Sequence, residues 1–173
     1  SERLKNIRMN DSRKDIVQLT REWPPGYGGI ERVVHELASY LEAPVFSLDA
    51  KGMYKAKIDP LTSTYKRIRL PRVIIGRIAV PVPSRPFMAL LQRNNPLLVH
   101  LPCPSVLSIA IFIRIINPKR EISVHWHAFL ETDNSPTGLL TALYEKIAIT
   151  FSKLATRVIT TSPTLKDELI RLG

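Results

Sequence analysis

The sequence predicts an α/β domain, a parallel sheet covered by helices on both faces and Rossmann-like in its plan. Three observations carry this. Short β-branched segments alternate with longer stretches of helical periodicity along the 173 residues. Prolines and glycines fall mostly between those segments rather than inside them. A hydrophobic content of 45% is enough to bury a core. Strands separated by helices pair in parallel, because parallel neighbours need a crossover connection.

Taken in order, SERLKNIRMNDSRK, residues 1–14, is polar and charged, without the apolar run of a secretory signal. It reads as a loose basic arm or a remnant outside the fold, and residues 15–173 as one domain. DIVQLT (Asp15 to Thr20) predicts a first strand. A Pro/Gly loop follows, and then Ile30, Val33, Val34, Leu37, Ala38 and Leu41 recur at the spacing of one buried helical face. His35 and Glu36 fall on the other side of that helix and are expected to face water.

APVFSL (Ala43 to Leu48) and STYKRIRL (Ser63 to Leu70) predict two more strands. Prolines 71, 81, 83 and 86 then predict an irregular surface excursion, ending in a short helix from Pro86 to about Arg93. PLLVHL (Pro96 to Leu101) has the character of a buried strand. PSVLSIAIFIRII fits helix or strand by periodicity, and helix is chosen because the strand EISVHW (Glu121 to Trp126) follows it. From Thr137 to Ala155, Leu139, Leu140, Leu143, Tyr144, Ile147, Phe151 and Leu154 mark one helical face. TRVITTS is a last strand, and SPTLKDELIRLG a helix capped by Ser162 and stopped at Gly173.

Composition narrows the function. The lone Cys103 excludes an internal disulfide and a cysteine-rich metal cluster, and suits a reducing compartment. Held between two prolines with no evident basic partner, it reads as structural. The longest apolar run, Ser105 to Ile113, is well short of the roughly 20 residues that span a bilayer. The formal charge of +10 is concentrated. Between Pro60 and Arg120 there is no acidic residue, while Lys66, Arg67, Arg69, Arg72, Arg77, Arg85, Arg93, Arg114, Lys119 and Arg120 all lie there. Basic residues interleaved with Ile74, Ile75, Phe87, Met88 and Leu91 suit an anionic lipid surface as well as they suit nucleic acid.

Two stretches carry candidate chemistry. In PPGYGGIERVV the pair Gly28 and Gly29 stands between the first strand and its helix, the usual phosphate position in an open α/β sheet. Missing β-carbons admit a ligand to the backbone, and the helix end attracts an anion. The alternative is a tight turn and nothing more. The loop lacks the lysine of a Walker sequence and the G-x-G-x-x-G of a dinucleotide site, so neither an ATPase nor a dehydrogenase is favoured. In VHWHAFLETDN, His125 and His127 stand two apart, on one strand face if the strand stays regular. His125 fits a packed, hydrogen-bonded core histidine. The rival is a metal site of His125 and His127 with Glu131, Asp133 and a neighbouring-strand His100.

PPGYGGIERVVHELASYL resembles the N-terminal signature of glycosyltransferase family 4, retaining enzymes of the GT-B fold. LLVHLPCPSVLSIA, VHWHAF and RVITTSPTLKDELIRLG are similar to three further stretches of that family, in the same order. The resemblance implies the N-terminal, acceptor-binding half of a nucleotide-sugar-dependent enzyme, its donor-binding half absent from this chain. It implies that His127 touches the transferred sugar through its ring N–H or its backbone, without acting as a general base. It places Gly28 and Gly29 against the donor phosphates. Tyr27 then stacks on a sugar or packs the turn, and Glu131 and Asp133 line the acceptor side or form a solvated loop.

With the basic patch, this leads to a lipid-linked or other glycan acceptor of cell-surface polysaccharide synthesis, such as an O-antigen. The expected setting is the cytoplasmic face of the membrane, with no cofactor, no required metal and no nucleic-acid partner. A basic nucleic-acid-binding domain and a small metal-dependent hydrolase are the alternatives.

Overall fold

The computed structural model describes residues 15–21, 28–48, 64–75, 78–130 and 136–173. Six strands, β1 (Val17–Thr20), β2 (Val45–Leu48), β3 (Arg67–Leu70), β6 (Leu97–Leu101), β7 (Ile122–Trp126) and β8 (Arg157–Thr160), form one parallel sheet in the order β3-β2-β1-β6-β7-β8. Helices α1 (Gly29–Leu41), α3 (Pro104–Ile116) and α4 (Pro136–Lys153) connect β1 to β2, β6 to β7 and β7 to β8, and α5 (Pro163–Leu172) follows β8. The predicted α/β fold is the observed one. The chain works outward from β1 through β2 to β3 and then returns to add β6 on the other side. The strand order therefore reverses between β1 and β6, where open sheets of this kind bind ligands.

Alternation along the strands splits the core. Val17, Leu19, Phe46, Leu48, Leu97, Val99, Leu101, Ile122, Val124 and Trp126 pack with α3, α4 and α5 in one large cluster. Val45 and Tyr65 pack with Ile30, Val34 and Ala38 of α1 in a smaller one on the opposite face. Trp126, wholly buried, donates its indole N–H to Ser152 Oγ at 2.9 Å and so ties β7 to α4.

Two expectations are corrected. The excursion after β3 is not irregular: Arg72–Ile75 (β4) and Ile78–Pro81 (β5) form an antiparallel pair. Its prolines stand at the ends, Pro71 before β4 and Pro81 opposite Arg72, where they cost few ladder bonds. The helix that follows, α2 (Arg85–Gln92), is capped by Ser84, whose Oγ accepts from the Phe87 N–H.

The buried face of α4 is also not the leucine face. Leu139, Leu140, Leu143, Ile147 and Leu154 are exposed, Leu139 by 76%. Of the predicted face Tyr144 and Phe151 are buried, and the helix packs through them together with Gly138, Ala148 and Ser152. Small residues there bring the helix close to the sheet, and two aromatic rings fill the remaining space. Among the described residues no helix is long and apolar enough to cross a membrane.

Candidate functional site

Ordinary strand register brings four polar side chains into one row at the carboxyl end of the sheet. Ser47 lies beside Thr20, His100 beside His125, and one step beyond the Leu19–Val99 pairing sets Thr20 next to His100. All four are buried, Ser47 and Thr20 completely. The row crosses the β1–β6 reversal on the α1 side of the sheet. Thr20 Oγ1, Ser47 Oγ and His125 Nδ1 have no hydrogen-bond partner among the described residues. Buried polar atoms are nearly always paired, so three orphans in one row mark a place built for something besides packing.

The histidines form a connected group. Buried Gln18 of β1 donates its amide to Val34 O of α1 at 3.5 Å, which turns its Oε1 toward His100. His100 Nε2–H donates to that oxygen at 2.9 Å. His100, neutral, is left with a bare Nδ1, which accepts from His127 Nε2–H at 3.0 Å. Neutral His127 thus keeps its own Nδ1 as an acceptor.

Burial pushes all three rings below the ordinary histidine range. For His100 the neighbouring His127 and His125 add to it, and for His125 burial alone acts. For His127 burial, His125 and Arg21 outweigh Glu31 and bring it to about 4. All three are neutral at pH 7. His125 and His127 do share a face, with ring centroids 4.2 Å apart. His125 is packed as expected, but its Nδ1 is not satisfied.

The backbone of His127 is committed as well. Its N–H donates to Leu101 O at 2.9 Å and its carbonyl accepts from Thr161 Oγ1 at 3.1 Å. In this arrangement Nδ1 is the ring nitrogen of His127 that faces no partner among the described residues. His127 also borders a groove with Phe129 and the α5 residues Thr164, Asp167, Glu168 and Arg171, which sequence reasoning did not single out.

At the start of α1 the two glycines differ. The Gly28 N–H donates to Glu31 Oε2 at 3.0 Å, and Glu31, only 1% exposed, is also paired with Arg21 through Nε and through Nη2 at 3.1 Å. The anion at this helix end is the protein's own carboxylate. Gly29 is the first residue of α1, and its N–H has no place in the helical ladder. A β-carbon on Gly29 would meet nothing within 4 Å.

His35, expected to face water, is half-buried, with Nδ1 2.8 Å from Tyr65 Oη. Glu36 is exposed and lies 3.4 Å from Arg32. Cys103 caps α3, and its N–H donates to Tyr144 Oη at 2.8 Å.

Tyr27, Glu131, Asp133 and Arg77 lie outside the described residues. Lys66 and Arg85 are exposed, and Arg67, Arg69 and Arg72 half-buried on β3 and β4. Arg93 places its guanidinium 5.7 Å from the Phe46 ring centroid. Two members of the basic region are structural: Arg120, 3% exposed, donates to Asn95 O and Leu90 O, and Arg114 to Pro118 O, Arg120 O and Leu154 O.

Among the residues the sequence did not single out, Glu31 had a faint signal, since it stands in the Val34–Ala38 stripe, whereas Gln18 had none. A search of curated proteins gives no match. The sequence model for Glycosyltransferase Family 4 matches residues 27–173, which includes α1, the His125–His127 strand and α5. With a sheet of the kind found in one half of a GT-B enzyme, that match settles the membership: the chain belongs to glycosyltransferase family 4.

Proposed function

We propose that this domain is the acceptor-binding half of a retaining glycosyltransferase, one that moves a sugar from a nucleotide-sugar donor to a membrane-associated, lipid-linked glycan of the cell surface. The observation that carries the reading is the buried polar row at the β1–β6 reversal, beside the amino end of α1, where Glu31 holds the Gly28 N–H and the Gly29 N–H lies outside the helical ladder. In this reading the donor phosphates approach the loop at Gly28 and Gly29, the Gly29 amide meeting them directly while Gly28 keeps the Glu31 carboxylate in place. His127 Nδ1 accepts a hydroxyl of the transferred sugar, held there by the Gln18–His100 chain. The acceptor occupies the groove between His127 and α5, and the acceptor-binding roles of Tyr27, Glu131 and Asp133 belong to the same reading. It attacks on the face from which the phosphate leaves, so no enzymic nucleophile is required.

The surface supports a membrane setting at the cytoplasmic face. Val73, Ile74 and Ile75 of β4 and Phe112, Ile115 and Ile116 of α3 are exposed, as is the leucine face of α4. β5 and α4 both contact α3, and Lys66, Arg67, Arg69, Arg72, Arg85 and Arg93 lie on β3, β4 and α2 or just outside them. A basic residue near an anionic leaflet contributes about 1 kcal/mol, so a handful retains a protein there without a spanning helix.

The test is glycosyl transfer by the full-length gene product, with UDP- and GDP-sugars and a lipid-linked acceptor extract, comparing wild type with Gly29→Trp and His127→Ala. Transfer that both substitutions abolish in folded protein is the expected result. No transfer with any donor, or full transfer by both variants, overturns the reading.

A further inference from the structure

The three histidines are arranged as ligands as well as hydrogen-bond partners. One ring nitrogen from each of His100, His125 and His127 lies within 4.8 Å of the other two. We propose that His100, His125 and His127 bind one divalent transition-metal ion, of the zinc or cobalt class, at the carboxyl end of β6 and β7.

Independent observations support the site. His125 is 6% exposed, and its buried Nδ1 has no hydrogen-bond partner among the described residues. Gln18 Oε1 holds the far nitrogen of His100, the second-shell contact that fixes a metal-binding imidazole in the right tautomer.

Binding replaces the His127–His100 hydrogen bond: His127 moves its proton from Nε2 to Nδ1, with no net proton released, Nε2 becomes a ligand, and Nδ1–H then donates to the sugar hydroxyl from which it accepts in the ion-free site. An all-imidazole set selects zinc, cobalt, nickel or copper over magnesium and calcium, which prefer oxygen. Three protein ligands leave a position for water or an anionic oxygen on the half-exposed side of His127. The inference goes beyond the transfer reading and is measured without it, by ion binding alone.

The experiment uses the full chain without a polyhistidine tag, stripped with chelator and titrated with Co²⁺ and Zn²⁺. The expected result is one ion per chain, visible Co²⁺ absorption of a low-coordinate nitrogen site, and a Zn²⁺-dependent rise in melting temperature. His125→Phe, which keeps a ring in the buried slot, and His127→Ala, at a half-exposed position, should lose all three signals. Gln18→Leu, which removes no ligand, should weaken binding about 10–100-fold. Absence of stoichiometric ion in wild type, or binding unchanged in the His125 and His127 variants, overturns the proposal.

Discussion

An alanine at Gly28 and one at Gly29 are expected to move stability in opposite directions. At Gly28 the new β-carbon would stand 2.9 Å from Glu31 Oε2 and 3.4 Å from an Arg21 nitrogen. The carboxylate is the end of a flexible side chain, but two Arg21 contacts and the Gly28 N–H pin it. Moving it forfeits the cap and bends the ion pair, a cost of about 1–2 kcal/mol for a partly buried charged hydrogen bond. At Gly29 nothing lies within 4 Å, and alanine in the first helical turn gains about 0.5–1 kcal/mol by restricting the unfolded chain. The two variants should differ by about 2 kcal/mol, or roughly 4–8 °C in melting temperature for a chain of this size. Urea and thermal denaturation followed by circular dichroism read this directly. In a Glu31→Ala background the Gly28→Ala penalty should largely vanish, because the clash is with that side chain. Equal losses at the two glycines, or a Gly28 penalty that survives removal of Glu31, would refute the reasoning.

Glu31→Gln should destabilise the protein by about 1–2 kcal/mol in urea denaturation, since Arg21 loses its anion but is exposed enough to regain water; stability equal to wild type would count against the pair. Glu42 ends α1 in the left-handed region with φ 51°, so Glu42→Gly should raise stability by about 0.5–1 kcal/mol, and a measured loss would mean that its side chain matters more than its backbone. Leu143→Gln with Ile147→Gln changes exposed positions on α4 without adding charge and should leave stability within about 0.5 kcal/mol. If that face meets the bilayer, the same pair should reduce co-sedimentation with liposomes containing anionic lipid, and undiminished binding would move the contact elsewhere.

Much of the fold was legible because its signals are local. The stripe from Ile30 to Leu41 gives α1 nearly to the residue, and the alternation of short strands with helices gives the parallel sheet. The β4–β5 pair was missed because prolines argue against strands in general but not against strand ends, and only the pairing of Arg72 with Pro81 shows which case applies. On α4, Tyr144 and Phe151 of the predicted face are buried, but its leucines and Ile147 are exposed. Burial there depends on how closely the helix approaches, and Gly138, Ala148 and Ser152 carry no hydrophobic signal strong enough to compete. The site shows the same division. His125 and His127 stand out in the sequence and His100 is placed on a neighbouring strand, but Gln18 acquires meaning only when β1 and β6, distant in the chain, become neighbours. The pairing of Glu31 with Arg21 is equally invisible, because a glutamate inside an apolar stripe reads as an interruption until its partner is placed.

The two faces of the sheet at its carboxyl end divide structure from chemistry. Leu48, Leu101 and Trp126 point into the large core, whereas Ser47, His100 and His125, one residue earlier on the same strands, point to the α1 side with Thr20 beside them. A buried hydroxyl without a partner costs about 1–3 kcal/mol, so the row is not what stability alone would select. Thr20→Val tests this, since valine keeps the shape and removes the orphaned oxygen. It should raise stability by about 1 kcal/mol in denaturation while lowering glycosyl transfer by the full-length protein, the exchange expected of a residue kept for function. A Thr20→Val protein that is less stable would show that the hydroxyl is bonded within the fold, and one that is more stable and fully active would remove Thr20 from the site. If stability rises and transfer falls, the polar row is the floor of the cleft, and the reversal between β1 and β6 places it there.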